Sequence, residues 1–199
     1  MALLATALPR ILGAFFYYAP SSDTVQQLVP ALGELDSLFP WPVQPDLGSE
    51  FKGLAAVDLQ GLLYDFSVLF EGQGHMPAPP WGSVYLEEDN LLMGPSTRDY
   101  RAFLVQHGVS TATGQSEPDD QFGLMLMAFV LLVENGAHDA AKVLLSDHLL
   151  PWAPRYLELV QQVEAEQCFY SCLARVASVY LETLKDGLGL AVRPAQLYF

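Results

Sequence analysis

Basic residues are scarce: the 199-residue chain carries nine Lys and Arg against 23 Asp and Glu, a formal net charge of −14 at pH 7. Phosphate backbones are bound by clustered cations that displace counterions, and nine basic residues scattered from Arg10 to Arg193 build no basic stripe. Nucleic acid is therefore excluded as a partner, and a cationic one fits better. Cysteine is almost absent as well. Cys168 and Cys172, four apart in a helical pattern, exclude a secreted disulfide scaffold and point to a reducing cytoplasm. As small apolar side chains on one helix face, they are expected in the core. Charged residues make up 16% of the chain against 51% hydrophobic, which excludes intrinsic disorder. Long apolar runs are missing too: the longest, 122–133, has 12 residues and is bounded by Asp119, Asp120 and Glu134. That falls short of the roughly 20 residues that span a bilayer, so it reads as a buried helix and not a transmembrane segment. The N-terminal MALLATALPRILGAFFYY lacks a basic n-region and carries Arg10 inside its apolar stretch, so it reads as mature protein and not as a signal peptide.

What the chain does have is helical periodicity. Apolar positions recur at three- and four-residue spacing and strict alternation is nearly absent, which predicts an all-α fold: a single-domain bundle, 1–199, of about eight or more helices. The clearest stripe is Cys168, Cys172, Val176, Tyr180 and Leu184, with Ser171, Arg175, Ser178, Glu182 and Lys185 opposite and Gly187 as the stop. Leu59, Leu62, Leu63, Phe66, Leu69 and Phe70 form another, ending at Gly72 and Gly74. Further helices are expected over 3–18, 23–38, 95–107, 119–134, 138–148 and 153–165, with Ser96 and Asp119 as N-caps. Residues 39–48, with three prolines, read as a loop, and so do residues 75–94, a length that is usually functional inside a compact domain.

Signatures of catalysis are missing. Gly72 and Gly74 give GxG, but a dinucleotide fingerprint would need its third glycine at Pro77 and a preceding strand. Ser83 in WGSVY lacks the glycine that a nucleophile elbow requires at Tyr85. His75, His107, His138 and His148 show no tight ligand spacing, so neither a metal nor another cofactor is expected. Glu117, Asp119 and Asp120 have no nucleophile or base beside them and read as partners of a helix start. The chain is read as a binding protein, not an enzyme.

One feature stands out. In the 75–94 loop, Pro79, Pro80, Trp81, Tyr85, Leu91, Leu92 and Met93 surround an acidic knot of Glu87, Glu88 and Asp89. The stretch PAPPWGSVYLEEDNLLMG (77–94) with Ser96-Thr97, and EPDDQFG (117–123), resemble the TorD/DmsD family of cytoplasmic chaperones for molybdenum-cofactor enzymes. The nearer match is to the members that serve dimethyl sulfoxide reductase. The similarity extends to RILGAFFYYAP (10–20), to NGAHDAAKVLLSDHLLPW (135–152) and to the last helix, and so covers most of the chain.

The resemblance implies an all-helical cytoplasmic chaperone that binds the twin-arginine signal peptide of a redox-enzyme precursor until its cofactor is inserted, then releases it for export. Components of the twin-arginine translocase are implied as further partners. It also implies a peptide-binding surface made of Tyr17, Leu69, Phe70, Pro80, Trp81, Glu117, Pro118, Asp120, Gln121 and Phe122. The chain departs from the family pattern in two places. Gln121 stands where EPxDH has histidine, and Gly74 or its neighbour stands where an aromatic precedes the PPW stretch. Both bear on which client is accepted. An alternative implied by the same resemblance is a factor that handles the molybdenum cofactor or a guanine nucleotide, for which the sequence offers no P-loop and no basic pocket.

Overall fold

The computed structural model describes residues 5–72, 76–110, 117–163 and 168–199. The GxG glycine Gly74, with His75, and the ends of the helices expected over 3–18 and 153–165 lie partly or wholly outside them. The described residues form ten α-helices: α1 (Ala7–Tyr17), α2 (Asp23–Leu28), α3 (Gly48–Ala55), α4 (Leu62–Phe70), α5 (Gly82–Leu86), α6 (Pro95–Gln106), α7 (Phe122–Glu134), α8 (His138–Val143), α9 (Ala153–Gln162) and α10 (Phe169–Gly187). The all-α expectation holds, and none of these helices is long and apolar enough to cross a membrane.

The fold is built around α7, which is apolar on nearly every face and is covered accordingly. Against it lies α1, with Leu8, Ile11, Leu12, Phe15 and Phe16 all buried. The two backbones approach closely through Gly13 and Gly123. A Cβ at Gly123 would stand 2.5 Å from the carbonyl oxygen of Gly13, so only glycine fits. Beneath this crossing, Phe16, Phe122, Trp152 and Tyr156 pack edge-to-face or tilted with centroids 4.9–6.2 Å apart, joining α1, α7 and α9 in one aromatic centre.

Several local expectations need correction. The helix expected over 23–38 ends at Leu28 and tightens into a 3₁₀ turn, Val29–Glu34, because Pro30 has no N–H to donate and its ring clashes with the preceding turn. The expected 39–48 loop gives way to α3 at Gly48, whose N–H is received by Asp46 Oδ1 at 2.9 Å. The 75–94 loop contains the five-residue α5. Ser96 is not an N-cap: α6 starts at Pro95, and the Ser96 N–H is taken by Glu87 Oε1 at 2.8 Å. Nor is Asp119; Gln121 is the N-cap, and α7 begins at Phe122, three residues after the expected start. α8 runs on through a π-turn over Leu144–Leu149. Gly187 is the last helical residue of α10, and the stop is Gly189, at φ +60°, with Leu190 N–H bonded to Lys185 O at 2.9 Å. Cys168 is exposed and Cys172 half-buried, so neither is a core residue; their sulfurs rest against Gly53 of α3.

Candidate functional site

Two distant loops are tied together at one point. Trp81 and Gln121 form an isolated antiparallel bridge, in which Gly82 N–H donates to Asp120 O at 3.0 Å and Phe122 N–H to Pro80 O at 2.8 Å. The bridge sets the PPW and EPDD segments side by side, with the start of α5 on one edge and the start of α7 on the other. Side chains reinforce it. Trp81 Nε1 donates to Glu117 Oε1 at 2.6 Å, which aims the indole along the acidic segment. Asp120 Oδ2 accepts from Ser83 N–H at 2.6 Å and from Thr97 Oγ1 at 3.0 Å, so one carboxylate oxygen fastens the EPDD turn to both α5 and α6. Burial raises the Asp120 carboxyl above its usual pKa, against the lowering effect of these bonds. Asp119 is paired with Arg101 at 2.6 Å.

Gln121 uses both ends of its amide: Oε1 accepts from Leu124 N–H at 2.9 Å and caps α7, while Nε2 donates to Phe16 O at 2.8 Å and holds the C-terminal part of α1. A neutral imidazole also offers one acceptor and one donor. The departure from EPxDH therefore keeps a two-sided tether and removes a titratable group.

These ties leave a cavity of about 410 Å³ between the end of α1, the end of α4 and the bridged loops. Tyr17, Phe66, Phe70 and Pro80 form its apolar and aromatic walls, Tyr18, Ala19 and Ser22 close it beside α1, and Glu71, Glu117 and Gln121 supply its polar groups. Among the described lining residues, its carboxyls Glu71 and Glu117 have no lysine or arginine beside them. A cation entering here would meet carboxylates at the wall and aromatic faces beside them.

Of the ten site residues drawn from the resemblance, the structure brings Tyr17, Phe70, Pro80, Glu117 and Gln121 into this lining. Trp81 stands next to it through Glu117. Leu69 and Phe122 are fully buried in the core, Pro118 is buried within its turn, and Asp120 points to the far side, where it lines a second cavity of about 350 Å³ with Tyr100, His148 and Trp152. These four hold the walls from behind. Tyr18, Ala19, Ser22, Phe66 and Glu71 were not anticipated as lining; the i, i+4 pair Phe66 and Phe70 and the neighbouring Tyr17-Tyr18 were the sequence signals for them.

An all-helical chain with such a cavity beside a loop–loop bridge has clear relatives. The family described as nitrate reductase delta subunit matches residues 25–158. The Tat proofreading chaperone DmsD of Salmonella typhi is 35% identical over 188 residues, covering 93% of this chain and 92% of that protein. The chaperone protein TorD of a Psychrobacter species is 28% identical over 121 residues, 56% of this chain and 55% of that one. A solved structure from Archaeoglobus fulgidus, described as a redox enzyme maturation protein, shares the fold at a TM-score of 0.59 and 18% identity, covering 87% of this chain and 93% of that one. The chain belongs to this family, with the DmsD and TorD chaperones. It is a family of chaperones, not of catalysts.

Proposed function

We propose that this chain is a cytoplasmic chaperone that binds the twin-arginine signal peptide of a molybdoenzyme precursor in the cavity between α1, α4 and the Trp81–Gln121 bridge. It retains the precursor through maturation and hands it on for twin-arginine export. The observation that carries the reading is the pairing of aromatic walls, Tyr17, Phe66 and Phe70, with the carboxyls of Glu71 and Glu117 in one cavity whose described lining holds no lysine or arginine. A twin-arginine leader has the matching order, a basic segment followed by a moderately apolar one.

Magnitudes divide the labour. Burying one leucine of the leader contributes about 1.5–3 kcal/mol, whereas an exposed Arg–carboxylate pair contributes about 0.2–1 kcal/mol. Apolar contacts therefore set affinity, and the acidic field of a −14 chain speeds encounter and disfavours leaders without basic residues. Three buried leader side chains give about 4.5–9 kcal/mol before ordering costs, consistent with micromolar binding. Titration calorimetry of the whole chain against a panel of twin-arginine leader peptides tests this. One or more leaders bind in the micromolar range, and in stopped-flow mixing the same peptide with both arginines replaced by glutamine associates more slowly. Absence of binding to every leader of molybdoenzyme precursors from the source organism would overturn the reading.

A further inference from the structure

The loop from Glu87 to Gly94, which joins α5 to α6, holds three consecutive apolar side chains in water: Leu91 is 58% exposed, Leu92 48% and Met93 46%. The loop is not slack. Asn90 N–H donates to Glu87 O at 3.0 Å, Asn90 Nδ2 donates to Val84 O at 2.7 Å, and Glu87 ties back to α6 through Ser96 N–H. Asn90 and Met93 sit in the left-handed region, at φ +52° and +59°. Asparagine tolerates that conformation; methionine is strained in it. The next residue is Gly94, where a Cβ would meet the Glu87 carboxyl group at 2.7 Å. Glycine thus stands where space demands it, while Met93 occupies a conformation that glycine would adopt freely. Folding alone does not account for strain that keeps apolar side chains exposed, and contiguous exposed apolar side chains mark interaction sites.

We propose that Leu91-Leu92-Met93 is a second docking knuckle for the same precursor, engaging an apolar patch edged by Lys or Arg on the precursor's folded body, outside its leader. The proposal rests on the leader-binding reading above. Continuity argues for this occupant. α5 is five residues long; its start follows Trp81 and is pinned by Asp120 to the EPDD turn, and its end leads into the knuckle. Leader site and knuckle are thus the two ends of one rigid unit, and a precursor held by its leader at one end has its body tethered near the other. Charge argues the same way. Exposed Glu88 and Asp89 border the knuckle on a chain of net charge −14, which suits a basic rim and opposes both a second copy of this chain and an anionic lipid surface. Tethering raises the effective concentration, so a small patch suffices.

The test compares two ligands of the whole chain, a synthetic leader peptide and the complete precursor from which that leader comes. For the variant Leu91→Ser/Leu92→Ser/Met93→Ser, leader-peptide affinity stays within about twofold of the unaltered chain, while precursor affinity falls by roughly tenfold or more. Met93→Gly, which relieves the strained φ, raises the thermal midpoint yet weakens precursor binding, so the idea remains testable if the triple variant misfolds. Unchanged precursor affinity in these variants, or a parallel loss for the leader peptide, overturns the knuckle. Failure of the unaltered chain to bind the leader peptide would instead count against the leader-binding reading itself, and the knuckle would fall with it.

Discussion

Asp120 shows how much one residue carries. Its Oδ2 holds α5 and α6 to the EPDD turn, and burial raises its pKa. A carboxyl whose folded pKa exceeds the unfolded value stabilises the fold below the unfolded pKa, and that contribution is lost as pH rises through the folded one. At neutral pH its charge therefore costs stability. Asp120→Asn keeps an acceptor for Ser83 and Thr97 without the charge, so its thermal midpoint at neutral pH is expected to equal or exceed that of the unaltered chain. The advantage should shrink as pH is lowered toward 4, roughly the ordinary carboxyl range. Asp120→Leu, which strands the Ser83 N–H, should cost about 1–3 kcal/mol by denaturant unfolding. Trp81→Ala loses the Glu117 bond and an aromatic beside the cavity, and is expected to weaken leader binding by about 2 kcal/mol with helicity unchanged by circular dichroism. At this scale the sequence was partly legible. The EPDD carboxyls read as partners of a helix start, but the bonds of Asp120 reach 37 and 23 residues back, and no local pattern encodes that reach.

Among the elements, the crossing of α1 and α7 is the most exacting contact. Gly123→Ala would place a methyl group against the Gly13 carbonyl and the Tyr17 side chain, and should destabilise the fold by about 1–3 kcal/mol, as overpacking does. Equilibrium unfolding in urea measures it; a loss below about 0.5 kcal/mol, the scale of a neutral surface change, would mean the helices separate freely. Long amphipathic helices such as α6 and α10 were legible because their periodicity runs over many residues, and α7 because its unbroken apolar run is bounded by charges at both ends. α3 and α5 were not: eight and five residues give too little period, and they are held by neighbours, α3 against α10 and α5 through its ties to Asp120. The π-turn after α8 was likewise invisible, since one extra residue in a turn leaves the apolar pattern readable as a continuous helix.

Over the whole molecule, the segment after α10 runs back across the second cavity, with Arg193 N–H bonded to Ser146 O and Tyr198 N–H to Tyr85 O, both at 2.9 Å. It helps to enclose His148, whose pKa is lowered by burial and by Arg193 against the raising effect of Asp147 and Asp99. A depressed histidine stabilises the fold above its unfolded pKa, and that contribution is lost as pH falls through the folded one. The thermal midpoint should therefore drop between pH of about 7.5 and about 5.5, and drop less in His148→Phe. Composition alone argues against nucleic acid and favours a cationic partner; the structure places two of the acidic residues, Glu71 and Glu117, beside aromatic walls in one cavity. Raising salt should accordingly slow leader association more than it speeds dissociation in stopped-flow traces.

The leader is proposed to occupy the cavity between α1, α4 and the bridged loops. Ala19 lines it and is half-buried, so Ala19→Trp fills the cavity from within without removing any contact of the core. Titration calorimetry of that variant against a leader that the unaltered chain binds should show affinity reduced by about tenfold or more, a loss of about 1.4 kcal/mol, with the thermal midpoint preserved. Undiminished leader affinity in Ala19→Trp would contradict the account and move the leader site elsewhere on the molecule.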